Sequence, residues 1–256
     1  MAEKMKRPGG ELASRPLHFI WIVDCSGSMF GEKIGTVNHA IQSVIPEMAD
    51  AAANNPNAQL LVRTLQFSSG ASWVTANPVP VEDFAWDDLE ACGVTDLGQA
   101  FELLAAQLTI PPMSERALPP VLVLLSDGQP TDEYKKSLDK LLHLPWGKKA
   151  VRIAISIGQD ADDNVLAEFT GNRELVLQAN NAAMLTRMIK WASTAASAVS
   201  APASRVMGDK MPAEEVFLLP GIVDEQPPSA GGGNGPLVLD MNNIPDTDDV
   251  SEDDVW

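Results

Sequence analysis

Short apolar runs that alternate with helix-like stretches constrain the fold of this chain more than any other feature. The clearest runs occupy residues 17–23, 121–125 and 151–157. Runs this short and almost continuously apolar are typical of strands buried on both faces of a parallel sheet. Between them, apolar residues recur every three or four positions, which indicates one buried face of a helix. The alternation predicts an α/β protein with helices on both faces of a mostly parallel sheet.

Three further segments complete the predicted sheet. Residues 59–67 and 71–75 are expected to pair as a hairpin, because the serines and glycine between them can form a turn. Residues 174–177 are expected to form the last strand. The sequence thus predicts a doubly wound sheet of six strands in the order 3-2-1-4-5-6, with strand 3 antiparallel at one edge.

Composition divides the chain into three parts. We predict a flexible N-terminus over residues 1–14, the α/β domain over residues 15–200, and a tail rich in Pro and Gly over residues 201–256. From residue 201 onward there are twelve Asp or Glu residues and two Lys or Arg residues. Such a segment buries too little apolar surface to offset its ordering entropy, so a mostly disordered acidic tail is expected.

The net charge of −17 argues against two classes of partner. Nucleic acids and anionic membranes are bound by basic surfaces, which this composition does not favour. No apolar run approaches the ~20 residues that cross a bilayer, and no apolar signal segment precedes residue 17. We therefore expect a cytoplasmic protein. Cys25 and Cys92 are interpreted as free thiols, and the sequence leaves open whether they pair.

Oxygen-bearing side chains follow two of the predicted central strands. Asp24, Ser26 and Ser28 come after the first strand, and Asp127 comes after the strand at 121–125. Ligands of open α/β sheets bind beyond the carboxyl ends of the strands, where the strand order reverses. Carboxylates and hydroxyls without His or thiol suit Mg²⁺, with Mn²⁺ or Ca²⁺ as alternatives. The same residues also occur in capped turns, so a loop without a metal stays open at this point.

Two further acids lie near these loops. Asp96 and Asp132 each precede a stretch with helical spacing. Acidic side chains stabilise the positive end of the helix dipole. Each is therefore predicted to serve the first turn of the helix that follows it, and for Asp96 the alternative is a metal ligand.

Three segments in this order resemble the metal-ion-dependent adhesion site (MIDAS) of the von Willebrand factor A domain. They are Asp-Cys-Ser-Gly-Ser at 24–28, Gly-Val-Thr-Asp-Leu-Gly at 93–98, and Leu-Ser-Asp-Gly-Gln-Pro at 125–130. The resemblance covers about residues 15–200. It is nearest to bacterial TerY-like proteins, which are associated with tellurite resistance and stress. The residues that carry this closer likeness are Val-Asn-His-Ala-Ile at 37–41, Leu-Gly-Gln-Ala at 97–100 and Ser-Asp-Gly-Gln-Pro-Thr-Asp at 126–132.

The resemblance implies a set of ligands and a mode of action. Ser26, Ser28 and Thr95 would bind the metal directly, and Asp24 and Asp127 would bind it mainly through water. An acidic residue of a partner would complete the shell. The expected function is a non-enzymatic, metal-dependent protein-binding module. The TerY-like resemblance also implies a serine/threonine kinase and a metal-dependent phosphatase as partners.

One enzymatic alternative remains at this stage. Asp24 at a strand end is also similar to the nucleophile of a haloacid-dehalogenase-like phosphatase or phosphotransferase. Those enzymes place a second Asp two residues after the nucleophile, and here that position is Ser26. The departure weakens this interpretation without removing it.

Three tryptophans are candidates for partner contact: Trp73 and Trp86, which precede the Thr95 segment, and Trp256. Packing in or beside the core is the plainer role for the first two. For the acidic residues 246–256 three interpretations stay open. The segment solubilises the chain, docks on a basic partner through Trp256, or offers an Asp or Glu to the metal of its own domain or a neighbour's.

Overall fold

A seven-stranded sheet forms the centre of the fold. The computed structural model describes residues 14–55, 58–159 and 161–200. The strands are Arg15–Asp24 (β1), Ala58–Ser68 (β2), Gly70–Trp73 (β3), Val79–Pro80 (β4), Val121–Ser126 (β5), Val151–Ile157 (β6) and Val176–Ala179 (β7). The helices are Glu32–Ala53 (α1), Leu97–Gln107 (α2), Tyr134–His143 (α3), Pro145–Lys149 (α4), Asp163–Thr170 (α5) and Ala182–Ser200 (α6).

The strand order is β3-β2-β1-β5-β6-β7, and β4 pairs with β2 on the same side as β3. Every pairing is parallel except those that β3 and β4 make with β2. The doubly wound sheet with an antiparallel edge is thereby confirmed. The predicted number of six strands is wrong by one, because β4 has two residues and one of them is Pro80. A proline fits an edge strand, where it need not donate a ladder hydrogen bond, but it hides the strand from sequence patterns.

The last strand begins later than predicted. Residues 174–177 were expected to be extended, but Arg173–Leu175 forms a 3-10 turn and β7 starts at Val176. The side chain of Asn172 accepts a hydrogen bond from the backbone N–H of Glu174 at 3.0 Å and so starts the turn. Local side-chain bonds of Asn compete with strand pairing in this way.

The central strand β1 carries two separate cores. Phe19, Trp21 and Val23 face one layer, which is closed by α1 and α6. Ile20 and Ile22 face the other layer, which is closed mainly by α2, α3 and α5. Burial on both faces explains why residues 17–23 of β1 are almost continuously apolar and do not alternate.

The register of β1 and β5 determines where their loops begin. The two strands are parallel neighbours, with Val23 opposite Leu125. Asp24 and Ser126, the next residues along, therefore end their strands at the same level. This confirms the adjacency on which the predicted convergence of the two loops depends.

Some predictions fall outside the described residues. These are the flexible N-terminus up to residue 13, the acidic tail over 201–256, and partner contact by Trp256. The division into three parts accordingly remains a prediction. Within the described ranges, no helix combines the length and apolar character needed to cross a bilayer.

Candidate metal centre

Asp24 is held in a fixed orientation at the end of β1. It is fully buried. Its Oδ1 accepts a hydrogen bond from the backbone N–H of Ser26 at 2.8 Å, and its Oδ2 accepts one from the Ser126 hydroxyl at 2.5 Å. Burial raises the pKa of Asp24 to about 6, and the nearby charge of Asp127 adds to the rise, while the hydrogen bonds from Ser126 and Ser26 oppose it. The carboxylate is thus preorganised, but its negative charge is unfavourable in this buried position. A bound cation would stabilise that charge.

The hydroxyls of Ser26 and Ser28 converge beside this carboxylate. Their Oγ atoms lie 3.0 Å apart. Ser26 is buried and Ser28 is exposed, so the pair extends from the protein interior to its surface. Adjacent oxygens of an octahedral Mg²⁺ site with bonds of 2.0–2.1 Å lie about 3 Å apart. The spacing of the two hydroxyls therefore suits two ligands of one ion.

The segment that carries Thr95 is docked against the first loop. The backbone N–H of Gly27 donates to the carbonyl of Gly93 at 3.1 Å, and the N–H of Cys92 donates to the carbonyl of Cys25 at 2.7 Å. Gly93 has a φ of 79°, which favours glycine. These contacts bring the segment before Thr95 alongside the loop of Ser26 and Ser28.

Thr95 itself is buried and tied to the loop after β5. Its backbone N–H donates to the Thr131 hydroxyl at 3.1 Å, and its carbonyl accepts from the Thr131 N–H at 2.8 Å. A two-way bond of this kind fixes the position of both segments. The Thr95 loop is therefore held by β1 on one side and by the β5 loop on the other.

Asp127 supplies the clearest evidence for a cation site. The residue is 2% exposed, and its Oδ1 is buried without a hydrogen-bond partner among the described residues. The backbone of this loop is held in place, because the N–H of Asp162 donates to the Asp127 carbonyl at 2.8 Å. A buried carboxylate oxygen without a partner is costly. The residues present therefore fit a bound cation.

The donor set indicates which kind of cation fits. In the described part of the chain, no three His, Cys, Asp or Glu residues gather in a way that could hold a metal. The five predicted ligands offer two carboxylates and three hydroxyls, which are all hard oxygen donors: Asp24, Asp127, Ser26, Ser28 and Thr95. Oxygen-only sites of this kind suit Mg²⁺ or Mn²⁺.

The role of Ser126 was not predicted from the sequence. Its hydroxyl donates to Asp24 and accepts from the N–H of Gly128 at 2.9 Å, so it links the two metal loops. A hydroxyl at the last position of an otherwise apolar buried strand was the available signal. Ser126 is best described as a positioning residue for Asp24.

Of the two neighbouring acids, Asp96 stands at the start of α2 as predicted, whereas Asp132 does not serve the helix that follows it. The carboxylate of Asp132 accepts from the N–H groups of Gly98 at 3.0 Å and Gln99 at 3.2 Å, so it caps α2 and not the helix that follows it. Asp96 is the N-cap residue of α2, although its side chain makes no capping bond. Its carboxylate accepts from the N–H of Gly70 at 2.8 Å and from the Gln99 amide. Both acids therefore brace the Thr95 loop against its neighbours.

The two described tryptophans that were predicted as partner contacts have structural roles. The indole N–H of Trp86 donates to the Asn38 side chain at 3.2 Å, and the residue is buried in the core. Its burial conflicts with direct partner contact. Trp73 is half-buried and stacks under the Arg63 guanidinium, which lies 3.6 Å from the ring centroid. Partner contact by Trp73 remains a prediction.

The two cysteines are free and differ in accessibility. Cys25 is buried and Cys92 is exposed. Burial, followed by the nearby charge of Asp24, raises the pKa of Cys25 to about 12. Because the thiolate is the reactive form, we expect iodoacetamide at pH 8 to modify Cys92 in the native protein and to spare Cys25 until the chain unfolds. Peptide mass spectrometry measures this, and equal labelling of both thiols would contradict it.

Solved structures with a similar fold come from several organisms. A von Willebrand factor type A protein from Catenulispora acidiphila is 14% identical over 73% of this chain and 43% of that one, with a TM-score of 0.52. The pilus adhesin SpaC from Lactobacillus rhamnosus GG is 14% identical over 72% and 31%, with a TM-score of 0.57. The proximal thread matrix protein 1 from the mussel byssus, with a zinc-occupied MIDAS motif, is 17% identical over 70% and 48%, with a TM-score of 0.53.

These likenesses show the fold alone, and this chain spans less than half the length of each of the three proteins. None of the curated proteins matches the sequence at a significant level. A family model of the von Willebrand factor type A domain matches residues 20–190. That span runs from β1 into α6 and includes all five predicted metal ligands. The chain therefore belongs to the von Willebrand factor type A domain family.

Proposed function

We propose that this protein is a metal-dependent protein-binding module that binds an acidic residue of a partner through a divalent cation. The residues that would hold the cation are Asp24, Ser26, Ser28, Thr95 and Asp127. The observation that carries the proposal is the buried Oδ1 of Asp127, which has no partner among the described residues. When bound, the cation would supply a positive centre that attracts a carboxylate from another molecule.

The proposed ligands differ in charge and in how they would bind the cation. The hydroxyls of Ser26, Ser28 and Thr95 are neutral, so as ligands they leave the cation's charge available to a partner carboxylate. Both oxygens of Asp24 already accept one hydrogen bond. Each carboxylate oxygen can accept a second one, so Asp24 can still hold a water molecule. This supports the role, implied by the resemblance, of a carboxylate that acts through water.

The oxygen-only donor set supports Mg²⁺ as the cation, with Mn²⁺ as the next choice. Zinc occupies the MIDAS motif of the mussel protein named above. Zinc sites in proteins are usually completed by His or Cys, and neither residue type is among the five proposed ligands. We therefore expect Mg²⁺ and Mn²⁺ to bind here in preference to zinc at physiological concentrations.

The partners we propose are a serine/threonine kinase and a metal-dependent phosphatase of a bacterial stress pathway in the cytoplasm. What supports them is the TerY-like character of residues 37–41, 97–100 and 126–132. A pull-down from the native host, done once with Mg²⁺ and once with a chelator, tests this. Partners that remain bound in chelator would contradict metal-dependent capture.

The metal site is tested by replacing one carboxylate. We expect Asp127→Asn to lower the affinity for Mg²⁺ and Mn²⁺ by about tenfold to a hundredfold, because the charge of a ligand is lost while its shape is kept. Isothermal titration calorimetry measures this. Asp139→Asn is the matched control. It removes the same charge, but from the exposed surface of α3. If the unaltered protein binds neither ion at millimolar concentration, the proposed function is wrong.

A further inference from the structure

Two exposed apolar side chains flank the proposed metal site. In the described part of the chain, the large apolar residues that are exposed are Phe30 at 78%, Val94 at 48% and Ile110 at 50%. Phe30 follows Ser28 by two positions, and Val94 directly precedes Thr95. Two of the three exposed groups therefore belong to the metal loops.

Backbone hydrogen bonds place the segments that carry these two residues side by side. The N–H of Gly27 donates to the carbonyl of Gly93 at 3.1 Å, one residue before Val94. The N–H of Phe30 donates to the carbonyl of Gly27 at 3.3 Å. We call Phe30 and Val94 the apolar rim. Single exposed apolar residues are ordinary, but a pair beside a binding site marks a contact surface.

The apolar rim restricts the chemistry of the ligand. A partner that offers only a carboxylate would satisfy the cation and leave Phe30 and Val94 in water. A ligand with an acidic residue next to bulky apolar residues would cover both features at once. Burial of the apolar groups would then add affinity that the metal alone does not supply.

This protein carries a segment of that composition. Residues 246–256 read Asp-Thr-Asp-Asp-Val-Ser-Glu-Asp-Asp-Val-Trp, so acids stand directly beside Val250, Val255 and Trp256. From Asp224 to Trp256 the sequence has no Lys or Arg. The segment therefore combines many carboxylates with apolar anchors and no competing cation of its own.

We propose that residues 246–256 bind the metal site and apolar rim of the same chain and compete there with external acidic partners. The inference rests on the proposed metal site. Residues 201–245 link α6 to this segment and can extend to about 150 Å, whereas a domain of this size is about 40 Å across. Reach is therefore no obstacle to the contact.

Charge makes this contact depend on the cation. Acidic residues outnumber basic ones in residues 1–200 as well as in the tail. Without a metal, the segment would approach a surface that repels it, beside the buried carboxylates of Asp24 and Asp127. Metal-dependent binding therefore distinguishes this site from the exposed lysines of α3, which include Lys136 and Lys140 and would bind an acidic segment in chelator too.

The test uses the full chain and a fluorescently labelled peptide of residues 246–256. In the host protein, the Asp and Glu residues from 246 to 254 are changed to Asn and Gln, so that its own segment does not compete. We expect fluorescence anisotropy to show peptide binding in Mg²⁺, at least tenfold weaker binding in chelator, and weaker binding to the unaltered chain than to the host. Each result follows from occupation of one metal-dependent site.

The apolar rim is tested in the same host. Phe30→Ser and Val94→Ser should each weaken the peptide roughly tenfold, as expected for a buried anchor. Their affinity for Mg²⁺, measured by calorimetry, should stay unchanged. Ile110→Ser is the matched control, because Ile110 is similarly exposed but follows α2 at the end opposite to Thr95. It should leave both affinities as they are.

The possible failures separate the two proposals. If the host binds no metal in calorimetry, the proposed function itself fails. If it binds metal but the peptide does not bind, only the present inference fails, and residues 246–256 have no role at this site. Peptide binding that persists in chelator, or that is lost in Lys136→Glu with Lys140→Glu, would also overturn the inference by placing the segment on α3.

Discussion

Changing Asp24 to asparagine should abolish metal binding and, in metal-free buffer at pH 8, make the protein more stable. Burial raises the pKa of Asp24 from 3.8 to about 6. The folded protein therefore holds this proton more tightly than the unfolded chain does. As the pH rises from about 4 to about 6, loss of the proton lowers the free energy of unfolding by a total on the order of 3 kcal/mol.

Asparagine keeps the shape of Asp24 and removes the charge, so it escapes this cost. It can still accept the N–H of Ser26 and reach the hydroxyl of Ser126. We expect a gain on the order of 1 to 3 kcal/mol over the unaltered protein at pH 8 in chelator, and almost no gain at pH 4, where both forms are uncharged. Urea unfolding at the two pH values measures this.

Added Mg²⁺ should reverse the ranking. A ligand that binds only the folded state stabilises it by mass action, so the unaltered protein should gain stability with Mg²⁺ while Asp24→Asn should not. Asp139→Asn on exposed α3 controls for the change in net charge. Lower stability of Asp24→Asn in chelator at pH 8 would mean that the hydrogen bonds of Asp24 outweigh its desolvation.

Gly93→Ala should distort the Thr95 loop and weaken both the fold and the metal site. Gly93 has a φ of +79°, and an added Cβ would lie 2.3 Å from the Oγ of Ser69 and 3.2 Å from its backbone N. The Ser69 hydroxyl can rotate away, but the backbone contact and the positive φ remain. We expect a loss of about 1 to 3 kcal/mol in the free energy of unfolding and at least a tenfold loss of Mg²⁺ affinity.

Gly35→Ala is the matched control for that substitution. Gly35 lies inside α1, and an added Cβ would meet no atom within 4 Å. Alanine is the better helix former, so we expect a gain of about 0.5 to 1 kcal/mol and an unchanged affinity for Mg²⁺. Urea unfolding and calorimetry on both variants separate loop distortion from a general effect of adding a methyl group. Equal effects at the two positions would contradict the role given to Gly93.

The central sheet was predictable because burial on two faces leaves an almost continuous apolar run. This holds for β1, β5 and β6, whose runs are bounded by polar or turn residues. The two-residue strand β4 was not predictable, since its pairing depends on where residues 74–78 lead the chain. The start of β7 was misjudged because a turn initiated by Asn172 competes with extension.

The loops of the candidate site were predictable in order and position, but not in their supports. Asp24, Ser26 and Asp127 are of residue types that bind metals and lie at or just after the ends of strands. The sequence shows both their types and these positions. The cap that Asp132 provides for α2 reaches back across 34 positions to Gly98, and no local pattern reports such a contact. The role of Ser126 likewise depends on the register between β1 and β5, which only the paired strands define.

The arrangement of the sheet edges bears on solubility. The long strand β2 is covered on its outer side by β3, with four residues, and β4, with two. Between them, the Arg63 guanidinium donates to the carbonyl oxygens of Thr75 and Ala76. The opposite edge in the described part of the chain is β7, which has four residues. Neither edge offers a long row of free N–H and C=O groups to a neighbouring copy, so aggregation by strand addition has little template even in concentrated solution.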